Sequence, residues 1–69
     1  MEIIYILTVS TNEASADWYF TTEERAINFI KDNFGFDEPR KITNQHYQGI
    51  HHVYVITNQA IDQIKIGGY

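Results

Sequence analysis

Residues 21–35 read TTEERAINFIKDNFG, and this stretch gives the clearest helix signal in the chain. Thr21 followed by Glu24 fits a capping box, in which the threonine side chain accepts from an early helix amide and the glutamate returns to the threonine amide. Glu23 adds a second negative charge at the positive end of the helix dipole. Gly35 is a typical residue after a helix end. Between these signals, apolar residues recur at the 3.6-residue spacing of a buried stripe, at Ala26, Ile27, Ile30 and Phe34.

Two strand-like segments precede this helix. Residues 2–10 read EIIYILTVS, a run rich in β-branched and aromatic residues, which predicts a strand. Its odd-numbered side chains point to one face of a sheet and its even-numbered side chains to the other, and both sets contain apolar groups. The polar stretch 11–15 has the length of a hairpin loop, so residues 17–20 (DWYF) predict a short returning strand.

The segments after the helix predict a second pair of strands. Asp37-Glu38-Pro39 is interpreted as a solvated turn, because a proline cannot lie in a central strand. Residues 40–47 predict a polar edge strand and residues 51–57 a more apolar one, with Gln48-Gly49 as the hairpin corner between them. A final turn or short strand is anchored by Ile61, Ile64 and Ile66.

The predicted fold is a single α+β domain over residues 1–69, in the order β-β-α-β-β, with one helix packed on one face of a mostly antiparallel sheet. Such a helix leaves the other sheet face bare, yet Ile4, Ile6 and half of residues 53–56 point there. Leaving those side chains in water forfeits a few kcal/mol in a domain whose total stability is about 5 kcal/mol. We therefore expect either a homodimer, a higher oligomer or a partner protein on that face, or loops and the C-terminal segment folded over it.

Charge and composition exclude several classes of function. The chain has nine acidic and five basic residues, a net charge of −4, and the excess is uneven. Residues 1–38 hold eight acids and two bases, whereas residues 39–69 hold one acid, three bases and all three histidines. An acidic surface repels phosphate backbones, so direct nucleic-acid binding is not expected. With no cysteine, no long apolar run and no leader pattern, we expect neither disulfides nor membrane association, and a cytoplasmic location.

No pattern in the chain predicts catalysis. The only serines are Ser10 and Ser15, neither within a nucleophile-elbow motif, and the glycines are scattered rather than grouped as in a phosphate-binding loop. His46 and His51 flank the predicted corner and would reach one ion across a two-residue hairpin, but no third ligand is specified, and exposed histidines are the more common situation. We therefore predict a non-enzymatic protein with no catalytic residue, no metal site and no cofactor.

Aromatic residues point to binding instead. There are ten in the chain, and Trp and Tyr dominate protein–protein hot spots because they bury a large area at little entropic cost. Some must close the core, but an exposed recognition surface is predicted from the remainder together with nearby acids, at Trp18, Tyr47, Tyr54, Asp17 and Glu13.

The predicted first hairpin, followed by Phe20-Thr21-Thr22-Glu23-Glu24-Arg25-Ala26 and a helix ending at Phe34-Gly35, resembles small accessory proteins of bacteriophages and prophages. The strand-strand-helix-strand order is also similar to a phage inhibitor of host RNA polymerase. The resemblance implies a protein that acts by contact, as an inhibitor of a host enzyme or of an antiviral defence complex. It assigns no functional residue.

Two alternatives remain open. An oligomeric binder, or sponge, of a small signalling nucleotide would use the basic half of the chain, through Arg40, Lys41, His46 and His51. The order of elements and the C-terminal Gly67-Gly68-Tyr69 also resemble a β-grasp ubiquitin-like modifier, whose terminal di-glycine would here require removal of the last residue.

Overall fold

The computed structural model describes residues 2–61 and contains a five-stranded antiparallel sheet and one α-helix in that range. The elements, in chain order, are β1 (Ile3–Ser10), β2 (Ser15–Phe20), α1 (Glu23–Phe34), a short 3-10 helix (Gly35–Asp37), β3 (Arg40–Thr43), β4 (His46–Gln48) and β5 (Val53–Ala60). The predicted α+β class and the order of elements are confirmed in outline. No helix in residues 2–61 is long and apolar enough to cross a membrane.

The spatial order of the strands is β2-β1-β5-β4-β3. The two longest strands, β1 and β5, pair with each other along their full length, from Ile3 opposite Ala60 to Ser10 opposite Val53. The centre of the sheet therefore joins residues that are about fifty positions apart in the chain. The two hairpins β1–β2 and β3–β4 lie at opposite edges of this central pair.

The core lies on one side of the sheet. Six apolar side chains there are almost fully buried, at Leu7 and Val9 of β1, Tyr54 and Ile56 of β5, and Ala26 and Ile30 of α1. The register explains why these strand residues are buried together. Leu7 pairs with Ile56 and Val9 with Tyr54, and directly paired residues share a face of the sheet. The even-numbered residues of β1 and the odd-numbered residues of β5 therefore lie on the opposite face.

The helix begins one residue later than predicted and ends at Phe34, as predicted. The N-cap is Thr22 rather than Thr21: its backbone is extended, and its Oγ1 accepts from the Arg25 N–H at 3.2 Å. Because the third helical residue is then Arg25, the predicted capping box with Glu24 does not form. Gly35 follows the α-helix but does not break the helical conformation. It has right-handed helical angles and is the first residue of the 3-10 helix.

The second half of the sheet contains one more turn than expected. Residues 40–47 form two strands, β3 and β4, joined through Asn44 and Gln45, so the expected single strand is wrong. The connection from β4 to β5 is a four-residue loop, Gly49–His52, and not a two-residue corner. His46 consequently pairs with Val55, and His51 lies in the loop, so the two histidines do not face each other. The predicted final element beyond Ile61, with Ile64, Ile66 and the terminal glycines, lies outside the described residues.

Candidate functional site

The Asp37 side chain is the one fully buried charged group among the described residues. It ends the 3-10 helix and points into the loop between β4 and β5. Its Oδ1 accepts from the His51 N–H at 2.7 Å, and its Oδ2 accepts from the His52 N–H at 3.1 Å and from the Tyr54 hydroxyl at 2.8 Å. The Asp37 carbonyl also accepts from the Ile50 N–H at 2.8 Å. The carboxylate thus fixes a loop that follows it by 14 to 17 residues.

These contacts set the protonation of both partners. Burial raises the pKa of Asp37, but the donated hydrogen bonds from Tyr54, His51 and His52 outweigh it, and the net pKa lies below its usual value. Burial also raises the pKa of Tyr54, and the adjacent carboxylate raises it further. At neutral pH the pair is therefore a carboxylate that accepts from a neutral phenol.

Gly49 makes this arrangement possible. A Cβ at Gly49 would overlap Asp37 Oδ2 and would lie 2.6 Å from Asp37 Cγ and 3.0 Å from a ring carbon of Tyr54. The residue after Asp37, Glu38, adopts left-handed angles (φ 52°, ψ 57°), which turn the chain back toward β3.

His52 connects this buried carboxylate to the protein surface. Its Nδ1 lies 3.2 Å from Asp37 Oδ2 and is buried, whereas 22% of the side chain remains exposed, so the ring presents its opposite edge to solvent. The imidazole packs among aromatic rings, with centroid distances of 5.5 Å to Phe34, 6.2 Å to Phe36 and 6.0 Å to Tyr54.

An open groove of about 220 Å³ lies beside His52, and we call it the aromatic groove. Trp18 and Phe34 form its walls, with ring centroids 6.2 Å apart in an edge-on arrangement, and Trp18 also contacts Phe29 at 5.1 Å. The first hairpin supplies one rim. The full lining is Val9, Thr11, Ala14, Ser15, Ala16, Trp18, Phe34 and His52.

Two hydroxyl groups line the groove, those of Thr11 and Ser15, and the Thr11 hydroxyl is hydrogen-bonded within its own loop. Thr11 Oγ1 donates to the Ala14 carbonyl at 3.3 Å and accepts from the Glu13 and Ala14 N–H groups at 3.2 Å each. Ser15 is exposed, and no hydroxyl of residues 2–61 hydrogen-bonds to the His52 ring. The arrangement can hold an apolar group against the His52 ring.

The second surface of interest is the sheet face opposite the core, which we call the open sheet face. Register places Tyr19 opposite Ile6, and Thr8 between Asp17 and Val55. Tyr19 is 62% exposed. The face carries four half-buried apolar residues, the exposed tyrosine, two charged edge residues and several polar residues. They are Ile4, Ile6, Val53 and Val55, Tyr19, Asp17 and Arg40, and Thr8, Ser10, Ser15, His46, Gln48, Thr57 and Gln59.

The predicted recognition residues do not form one surface. Trp18 is half-buried in the aromatic groove, and Glu13 is exposed in the loop at its rim. Tyr47 is half-buried against the core. The expected exposure of Tyr54 is wrong, because its ring is fully buried and its hydroxyl donates to Asp37. Asp17 lies on the open sheet face, on the other side of the molecule from Trp18.

The basic-half residues are also dispersed. Arg40 pairs with Gln48 and His46 with Val55, so both lie on the open sheet face, and His46 Nε2 is buried with no hydrogen-bond partner in residues 2–61. Lys41 pairs with Tyr47 and lies on the core side. His51 lines a separate polar hollow of about 340 Å³ at the end of the sheet. The four residues therefore do not converge on one ligand site.

Sequence reasoning missed the group at the centre of this region. Asp37 was interpreted as part of a solvated turn, and neither His52 nor Gly49 was connected to it. No local pattern identifies such a contact, because its donors follow the carboxylate by 14 or more residues. Within residues 2–61, no three His, Cys, Asp or Glu side chains are grouped as metal ligands would be.

The chain matches no protein-family model, no curated protein and no solved structure.

Proposed function

We propose that this protein is a non-catalytic binding protein that acts by protein–protein contact, and that its contact site is the aromatic groove. The observation on which the proposal rests is the position of Trp18, which is half-buried and forms one wall of an open apolar groove beside His52. Tryptophan walls of this kind are typical of binding hot spots, because a partner side chain that enters the groove buries its own apolar surface against them.

The state of the polar groups supports binding over catalysis. A general base needs a free lone pair directed at its substrate, and the oxygens of Asp37 are directed at donors from His51, His52 and Tyr54. The Nδ1 of His52, beside the groove, lies 3.2 Å from the same carboxylate and has no hydrogen-bond partner within residues 2–61. The exposed edge of the ring can exchange one hydrogen bond with a bound partner.

Charge indicates the chemistry of the partner. Most residues lining the groove belong to the half of the chain with eight acids and two bases, and Glu13 lies exposed at the rim. Opposite potentials steer association, so the expected partner presents an apolar side chain surrounded by basic residues. In line with the resemblance to phage accessory proteins, we propose a bacterial host enzyme or an antiviral defence complex as that partner, and inhibition by occlusion as the effect.

The adjacent residues Trp18 and Tyr19 provide a matched test, because they point to opposite faces of β2. Tagged full-length protein would be used to capture partners from a bacterial lysate, and the affinity for the captured protein would then be measured with pure components. Trp18→Ala is expected to weaken binding at least tenfold, consistent with a hot spot of about 2 kcal/mol. Tyr19→Ala is expected to bind as the parent does, and added salt is expected to weaken binding of the parent.

A second variant separates binding from folding, since Trp18 also packs on Phe29 and Phe34. Ala16 is exposed and lines the groove, so Ala16→Arg blocks it without removing a core side chain. We expect the same loss of affinity with the unfolding transition unchanged. A complex that tolerates Trp18→Ala, Ala16→Arg and high salt would refute the proposed site.

A further inference from the structure

The open sheet face differs in chemistry from the rest of the molecule. Its centre mixes apolar and polar side chains: Ile6, Val53 and Val55 are half-buried, and each pairs with a serine or threonine of the neighbouring strand. Tyr19 is exposed on the same face. Outside this face the protein is acidic, and the exposed acids Glu23 and Glu24 begin the helix. Within the five strands, by contrast, the charged residues of the open face are one acid, Asp17, and one base, Arg40. The face is therefore balanced in charge.

The two charges lie at opposite edges. Asp17 is on β2 and Arg40 on β3, the two outer strands of the order β2-β1-β5-β4-β3. Four strand spacings separate them, which is about 19 Å. The two charges are also offset along the strand direction. The line of paired residues that starts at Asp17 reaches β5 at Val55, whereas the line that starts at Arg40 reaches β5 at Val53, two residues away. This arrangement of charges is self-complementary. A second copy laid face to face on the first, with its β2 over β3 of the first copy, places each acid near a base.

We propose that two copies of the chain associate through the open sheet face, about a two-fold axis parallel to β5. This axis places β2 of each copy over β3 of the other, so that Asp17 of each copy lies near Arg40 of the other. The central strand β5 of one copy then packs on β5 of the other. In the isologous interface that results, the same patch serves both partners. The proposal concerns the face opposite the aromatic groove and does not depend on the proposed function.

The area of the face is close to that of a small dimer interface. The five strands contain 29 residues, and at about 3.3 Å per residue and 4.8 Å per strand they give a projected area of roughly 460 Å² per copy, or about 920 Å² in all. A specific interface buries about 1,000 Å² or more, and weaker complexes lie at this lower end. Two sheets packed face to face bury their inner side chains as the two layers of a β-sandwich do. An unrelated basic partner fits less well, because the strands present one base and one acid on this face.

Charge reversal tests the orientation as well as the association. Sedimentation equilibrium of the full chain is expected to give twice the monomer mass of 8.1 kDa. Asp17→Arg and Arg40→Asp each place like charges together, and each is expected to raise the dimer dissociation constant at least tenfold. The double variant Asp17→Arg, Arg40→Asp is expected to return it to within threefold of the parent. Glu24→Arg, on the exposed part of the helix, is the matched control and should leave it unchanged.

Each result decides the proposal. All four variants alter exposed residues, and circular dichroism would verify that they fold. A monomer at every concentration overturns the proposal, whatever else covers the face, and so does a dimer that is indifferent to single reversals or not restored by the double one. Trp18→Ala should leave the dimer intact, so failure of partner binding and failure of self-association are separable results.

Discussion

Gly49 and Asp37 meet where the loop before β5 passes over the 3-10 helix. Because a Cβ at residue 49 would lie within 2.6 Å of Asp37 Cγ, Gly49→Ala must displace a carboxylate held by three donors. Breaking a buried network of this kind costs about 3 kcal/mol or more. We expect a loss of that size in the free energy of unfolding, measured by urea denaturation.

Gly35 is the control for this substitution. It has φ −58° and ψ −31°, and nothing lies within 4 Å of a Cβ built there. Alanine adopts these angles readily and restricts the unfolded chain, so Gly35→Ala is expected to be neutral or to stabilise by about 0.5 kcal/mol. Equal losses for the two variants would show that glycine is required at Gly49 for some reason other than contact with Asp37.

At the scale of an element, the helix start distinguishes two adjacent threonines. Thr22 Oγ1 accepts from the Arg25 N–H at 3.2 Å, whereas Thr21 is exposed and precedes the cap. Thr22→Ala is therefore expected to lower the free energy of unfolding by about 1 kcal/mol, and Thr21→Ala by less than half of that. Thermal or urea unfolding of the two variants measures the difference. A larger loss for Thr21→Ala would restore the capping box predicted from the sequence.

The elements that the sequence predicted well are those with local signals. Residues 2–10, the returning strand and the helix each have a pattern within a few positions, and their bounds were correct within about two residues. The weak strand at 40–47 has no such pattern, and its division at Asn44-Gln45 depends on pairing with β5. Local sequence therefore predicts the type of an element more reliably than the position at which a strand ends in a turn.

The candidate site was harder to predict than these elements, because local sequence does not show which side chains are buried. Trp18 is half-buried and lines the aromatic groove, and its binding role remains a prediction. The burial of Tyr54 could not be predicted, because β5 is apolar on both faces, with Val53 and Val55 on one and Tyr54 and Ile56 on the other. Alternation then carries no information about which set is buried. Only the pairing of Tyr54 with Val9 decides it.

At the scale of the whole molecule, Asp37 links the two halves of the chain. The carboxylate follows the helix directly, and its donors belong to the loop and strand that complete the centre of the sheet. The hydrogen bonds thus tie the end of the helical segment to β5, which pairs with β1 along its full length. Protonation of this one group is expected to weaken the fold as a unit.

The pH dependence of stability tests that expectation. The folded pKa of Asp37 lies below its unfolded value of about 3.9, so its stabilising contribution is complete above that value and is lost as the pH falls through the folded pKa. The groups that face it are the His51 and His52 amides, the His52 ring and the Tyr54 hydroxyl. Asp37→Asn is expected to lower the free energy of unfolding by about 2 kcal/mol at pH 7 and to flatten its decline between pH 5 and pH 2. Urea titrations at several pH values measure both, with the exposed Asp17→Asn as the control that keeps the decline. An acid transition as steep in Asp37→Asn as in the parent would place the titrating group elsewhere in the chain.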